Sequence, residues 1–116
     1  MRLIDNTIYH FRDAQIVLSL GTPRDDNPLF NERVIIVNNV LKSEYKYDTQ
    51  VKLVHHQNLL HNGMIIDNLY KHDRYHLNKD GTRVLAANLR YAVERNYALK
   101  KYAHLNNHQL ICHLLS

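Results

Sequence analysis

The chain has 116 residues, of which 45% are hydrophobic, and this is enough for one modest domain with its own core. Its single cysteine, Cys112, excludes an internal disulfide and a thiolate zinc site of the usual kind. The formal net charge of +4 would suit a nucleic acid or an acidic partner, but the lysines and arginines are scattered singly, so that indication is weak.

The sequence has no pattern typical of export or of membrane insertion. The N-terminal stretch "MRLIDNTIYHFRD" mixes charges with apolar residues, and no stretch approaches the roughly 18 consecutive apolar residues of a membrane span. We therefore predict no membrane association and, by default, a cytoplasmic location.

The first part of the chain predicts a helix, a strand and a second helix. Apolar residues in "LIDNTIYHF" recur at helical spacing. "AQIVLSLG" is a short β-branched run stopped by Gly21, which is typical of a buried parallel strand, here placed at 16–20. "TPRDDNPLFN" predicts a loop, and an apolar stripe then predicts a helix from Asn31 to about Lys46.

The second part predicts another strand and a long helix. "VKLV" at 51–54 completes a strand–helix–strand unit, which implies two parallel strands. Further on, Asn78 is a suitable N-cap and Asp80 lies in the first turn, so we predict a helix from Lys79 to Arg95. Residues 97–116 are predicted to be a helical or disordered tail.

Two strands are few for such a sheet. Parallel sheets usually contain roughly four to six strands and are covered on both faces. The first predicted helix also lacks a Ser, Thr, Asp or Asn before it that could cap its amides. These features predict that an N-terminal part of the fold is missing and that the edges of the sheet are open.

The stretch "YKHDRYHLNKDGTRVL" places Asp73 three residues before His76. Histidine is a general base near neutral pH, and a carboxylate on its other ring nitrogen fixes the tautomer and stabilises the imidazolium. The same residues also fit a polar turn, with Asp73 at its end and His76 beside Leu77. In open α/β sheets such loops meet at the carboxyl ends of the strands, so we expect the polar loops after both strands to lie near this one.

The longer string "DRYHLNKDGTRVLAANLRYAV" resembles the last block of the SGNH hydrolases, also called GDSL esterases. "IVLSLGTPRDD", "VNNVLK" and "VHHQNLLHNG" are similar to the segments that precede this block in the family. The resemblance makes residues 3–96 a partial SGNH hydrolase-like domain. It implies a three-layer α/β/α flavodoxin-like fold and ester hydrolysis by a Ser-His-Asp triad, with His76 as base, Asp73 as orienting acid and no cofactor.

The chain departs from the family at its other motifs. The Gly-Asp-Ser block that carries the nucleophile, and the Gly and Asn that donate to the oxyanion, are not recognisable. We therefore expect the chain alone to be inactive, and to act on a small ester only with a nucleophile-bearing half. The alternatives are a catalytically dead SGNH-like module that binds a partner protein or RNA, and an incomplete gene product with no function of its own.

No other residue is an evident nucleophile. Ser19 lies in a predicted strand facing a packed layer, Ser43 is in the middle of a helix and Ser116 is terminal. Cys112 is interpreted as a small buried hydrophobe or a tail residue rather than as a reactive thiol.

The remaining polar residues favour structural roles. His55, His56 and His61 cluster, but adjacent histidines should diverge and no H-E-x-x-H pattern is present, so we predict no metal site. For Arg24 a surface pair with Asp25 or Asp26 is preferred over a contact to a bound anion.

Overall fold

In a computed structural model of the chain, the structure describes residues 2–10, 13–102 and 110–114. Three helices and five strands lie in these ranges, together with two short 3-10 turns at Gln57–Leu59 and Asp67–Leu69. In chain order the helices and strands are α1 (Arg2–His10), β1 (Gln15–Ser19), α2 (Pro28–Glu44), β2 (Val51–Val54), β3 (Leu60–His61), β4 (Met64–Ile65), α3 (Lys79–Tyr102) and β5 (Leu110–Leu114). None of the helices in this part of the chain is long and apolar enough to cross a membrane.

The main sheet has three parallel strands in the order β2-β1-β5. The central strand β1 pairs on both sides, so that Ile16 lies between Val51 and Ile111. The predicted parallel strands joined by a helix are therefore confirmed. The prediction of a helical or disordered tail was wrong for Leu110–Leu114, because this short apolar run becomes a strand through pairing with the distant β1, which local patterning does not reveal.

Helices lie on both faces of this sheet. Alternate residues of a strand point to opposite faces, and Ile16 and Leu18 belong to the core that Ile4 of α1 and Leu41 of α2 complete. On the other face, Ser19 is linked to α3 through the loop that follows β2. The chain is thus an α/β structure, as predicted.

Helix α2 begins three residues earlier than predicted. The Asn27 side chain caps it by accepting a hydrogen bond from the Leu29 amide at 2.9 Å, and Pro28 occupies the first turn. Asn followed by Pro is a favourable helix start, which the loop-like composition of this stretch obscured. The outward face of α2 is unusually apolar and carries exposed Leu29, Ile35, Ile36 and Val40.

A second, smaller core supports the polar loops. It comprises Leu59, Ile65 and Tyr70, with several partly buried neighbours: Leu60, Leu69, Leu77 and Val84. The β3–β4 hairpin in this region turns at Asn62 and Gly63, both with positive φ, and Asn-Gly is the favoured sequence for a two-residue hairpin turn. This signal was present in the sequence, where "HNG" was counted only as a polar segment.

The start of α3 is fixed against the same core. Asn78 is confirmed as the N-cap, because its Oδ1 accepts the Gly81 amide hydrogen at 2.9 Å. A Cβ atom on Gly81 would lie 2.0 Å from the carbonyl oxygen of Leu69, so only glycine lets the helix approach this closely. The loop before α3 is consequently held in one position.

Candidate active site

Asp73 and His76 lie in a short loop that folds back on itself before α3. The loop, residues 71–77, is closed by a bridge between Tyr70 and Leu77 and by a hydrogen bond from the Lys71 amide to the His76 carbonyl at 2.8 Å. Arg74 at its tip has a φ of 58°, a left-handed conformation. We call Asp73 and His76 the dyad and this segment the dyad loop.

The carboxylate of Asp73 uses its two oxygens differently. Oδ1 accepts the amide hydrogens of Tyr75 and His76, each at 2.9 Å, while Oδ2 lies 2.5 Å from His76 Nδ1. Asp73 therefore both organises the turn and contacts the histidine, so the two interpretations of the local sequence are compatible. The hydrogen bond from His76, followed by those from the two amides, lowers the pKa of Asp73 well below its usual range.

The ring of His76 is oriented by Asp73. Asp73 is an anion, so Nδ1 carries the proton that the carboxylate accepts, and the lone pair of the neutral ring is on Nε2. No residue in the described ranges hydrogen-bonds this Nε2, and the side chain is 62% exposed. The His76 ring stacks obliquely on the Tyr75 ring, with 4.3 Å between centroids. The dyad thus presents a basic nitrogen to solvent.

The dyad loop is attached to the loop that follows β1, residues 20–27. The Asp25 amide donates to the Arg74 carbonyl at 2.9 Å, and the Arg74 guanidinium forms ion pairs with Asp25 and Asp67. The Tyr70 hydroxyl donates to the Pro23 carbonyl at 2.5 Å. Two of the polar loops therefore meet at the carboxyl end of β1, as predicted.

Arg24 strengthens this attachment from the other side. Its Nε and Nη2 bind the two Asp26 oxygens at 2.6 and 2.5 Å, which confirms the predicted surface pair. The guanidinium also lies over the Tyr75 ring, 3.6 Å from the centroid, next to the ring of His76. Arg24 therefore links the loop after β1 to the dyad, a contact that the sequence did not indicate.

The loop after β2 makes a different site, which we call the buried network. His56 Nε2 lies 2.7 Å from Ser19 Oγ, and Asn88 Nδ2 lies 2.9 Å from His56 Nδ1. Asn88 and Asn58 exchange two amide hydrogen bonds, each at 2.8 Å. Because Asn88 donates to Nδ1, His56 carries its proton on Nε2 and donates to Ser19, whose hydroxyl donates in turn to the Leu20 carbonyl at 3.1 Å.

The buried network has the residue types of a catalytic triad but not its chemistry. Ser19 and His56 are only 1% and 4% exposed, so a substrate has no access to the hydroxyl. Burial, with a smaller contribution from His55, lowers the pKa of His56 to about 4. The tautomer is also wrong, because the ring nitrogen next to the serine bears a proton and is no base. Ser19 faces a packed layer, as predicted.

The other candidate residues do not join either site. His55 is exposed while His56 is buried, so the adjacent histidines diverge. Within residues 2–10, 13–102 and 110–114, no group of three or more His, Cys, Asp or Glu residues is placed to hold a metal ion. Ser43 is exposed on α2, whereas the side chain of Cys112 and all of Ser116 lie outside what the structure describes.

Comparison with known proteins identifies no relative. No protein-family model, no curated protein and no solved structure matches this chain.

Proposed function

We propose that this chain supplies the base and the acid of a serine ester hydrolase of the SGNH type. His76 is the general base and Asp73 its orienting carboxylate. The observation that carries the proposal is the 2.5 Å contact between Asp73 Oδ2 and His76 Nδ1, with the other carboxylate oxygen held by two amides. Such a carboxylate fixes the tautomer in which Nε2 accepts a proton.

The reaction uses this dyad in two half-reactions. In the first, His76 Nε2 takes the proton of a serine hydroxyl as the oxygen attacks the ester carbonyl, and passes it to the leaving alcohol, which leaves an acyl-serine. In the second, His76 takes a proton from water as the water oxygen attacks the acyl carbonyl, and returns it to the serine oxygen as the acid leaves; Asp73 stabilises the imidazolium in both. Ser19 is buried in another network and Ser43 is on α2, so neither is the nucleophile, and in this proposal the serine is supplied by a nucleophile-bearing half.

The proposal includes the finer fold of the family. A parallel sheet with helices on both faces supports a three-layer α/β/α, flavodoxin-like arrangement. Additional strands would pair at the outer edges of β2 and β5, the two edge strands of the described sheet. The segment that bears the nucleophile would be among them.

The dyad can be tested without the serine. An activated ester such as p-nitrophenyl acetate is hydrolysed by water when a positioned imidazole acts as base. We expect His76→Ala and Asp73→Asn each to lower the rate of the chain about tenfold, less than the roughly 10²- to 10⁴-fold of positioned acid–base groups in a complete site. His72→Ala is the matched control, because His72 is an exposed histidine of the same loop. It should leave the rate unchanged.

One outcome would contradict the proposed role of the dyad. If His72→Ala and His76→Ala lower the rate of p-nitrophenyl acetate hydrolysis equally, the dyad is no better a base than any surface histidine. The Asp73–His76 hydrogen bond would then only stabilise the turn.

The second candidate is a catalytically inactive module that binds a partner protein. It is favoured by the apolar face of α2, on which Leu29, Ile35, Ile36 and Val40 are between 51% and 55% exposed. RNA binding rests on the net charge alone and would weaken steeply with salt. Loss of the residual p-nitrophenyl acetate rate in His76→Ala but not in His72→Ala would separate the hydrolase from both binding modules.

A further inference from the structure

We propose that a groove beside the dyad binds the acyl part of an ester that carries an apolar chain and one negative charge. The groove lies at the carboxyl end of β1, between residues 20–27 and α2, and has a volume of about 310 Å³. This is the lower end of the range of roughly 300–1,000 Å³ for small-molecule sites. The identification of the ligand as an ester rests on the proposed function, whereas the groove and its charge do not.

One wall of the groove is apolar and faces solvent. Phe30, Val34 and Val37 line it, and Phe30 and Val37 remain 38% and 49% exposed. Covering these side chains removes apolar surface from water, which favours binding of an aliphatic chain. Asn38 at the base of the groove does not need a polar ligand, because its side-chain amide already hydrogen-bonds to both the N–H and the C=O of Gly21.

The charge of the groove comes from Arg33. Arg24 also lines the groove, but its guanidinium is neutralised by the paired Asp26. Arg33 lies 5.8 Å from the Phe30 ring centroid and has no carboxylate partner in the described ranges. An anionic group at the end of the bound chain would therefore find an uncompensated cation there.

One residue of the groove contacts the dyad loop. Arg24 forms part of the lining of the groove and stacks on Tyr75 at 3.6 Å, and the Tyr75 ring is 4.3 Å from that of His76. A chain lying in the groove with its anionic end at Arg33 can thus direct its ester toward the dyad. This arrangement favours esters whose acyl part is an apolar chain that ends in one negative charge.

Two matched compounds test the proposal by NMR titration of the whole chain. Monomethyl suberate carries an apolar chain, an ester and one carboxylate, and dimethyl suberate carries a second, uncharged methyl ester in place of the carboxylate. We expect both to shift the backbone amide signals of Thr22, Val34 and Val37, with monomethyl suberate binding about two- to fivefold more tightly, as for an exposed ion pair. Arg33→Gln should abolish this difference, whereas Arg90→Gln, which removes the same charge from α3, should keep it.

Two further variants test the apolar wall. Val37→Asp should weaken binding of both compounds, and the dispersion of the same spectra reports whether it remains folded. His72→Ala should leave the affinities unchanged, because His72 is exposed and is not among the residues that line the groove. Equal affinities for the two compounds in the wild type, or shifts outside the groove, would overturn the proposal. Since p-nitrophenyl acetate has neither chain nor charge, its hydrolysis would still test the dyad alone.

Discussion

The dyad and the buried network place a histidine in opposite situations. His76 is exposed and is hydrogen-bonded to a carboxylate, whereas His56 is buried and is hydrogen-bonded to an amide and a serine. The carboxylate puts the His76 proton on Nδ1 and leaves Nε2 basic, while the Asn88 amide puts the His56 proton on Nε2. The comparison teaches that a Ser-His contact of 2.7 Å does not make a catalytic site, since access and tautomer decide what the histidine can do.

The two sites should therefore respond differently to mutation, and the largest difference concerns stability. His56→Ala would leave Ser19 and Asn88 without their buried partner and create a cavity, so we expect the free energy of unfolding to fall by about 3 kcal/mol. His76→Ala removes an exposed side chain and should change it by less than about 0.5 kcal/mol. Urea denaturation measures the free energy of unfolding of both variants.

A loss of stability for His76→Ala as large as that for His56→Ala would contradict this prediction. It would mean that the dyad loop depends on the histidine ring for its folding, and that the Asp73 contacts to the amides of Tyr75 and His76 are too weak to hold it.

A second, smaller difference concerns pH. The pKa of His56 is about 4 in the folded chain, below the ordinary value of 6.5, so the unfolded chain binds more protons between these values. Stability is then fully present above pH 6.5 and falls as the pH drops toward 4, by on the order of 2 kcal/mol. Burial also lowers the pKa of His55, which acts in the same direction. Asp73 contributes only near and below the lower end of this window, because its pKa is lowered in the fold from an ordinary value of 3.8.

The control for the pH effect is His56→Gln, which keeps a polar side chain but does not titrate. Most of the loss of stability between pH 6.5 and 4 should disappear in this variant. An unchanged pH profile would show that the pKa of His56 is the same in the folded and unfolded chain, contrary to its burial in the network.

The same contrast explains what could be predicted from the sequence. Asp73 and His76 are three residues apart, so a local pattern reveals their contact. Strands β1 and β2 and the start of α3 also follow from local periodicity and capping. In the buried network, by contrast, His56 is 37 residues from Ser19 and 32 residues from Asn88. Only the parallel pairing of β1 with β2 and the position of α3 bring these three residues together. Strand β5 was missed for the same reason.

The extent of α2 was missed for a local reason instead. Asn27 and Pro28 start the helix, but the composition of the surrounding loop dominated the interpretation. The catalytic roles of Asp73 and His76, and the division of the chain at residue 96, stay predictions.

The most direct test of the account is the tautomer of the two histidines, which one long-range ¹H–¹⁵N spectrum at pH 8 reports for both. We predict that neutral His76 carries its proton on Nδ1 and neutral His56 on Nε2. In Asp73→Asn the preference of His76 should be lost and that of His56 retained. A wild-type spectrum with the His76 proton on Nε2 would contradict the account, because the nitrogen offered to a substrate would then be no base.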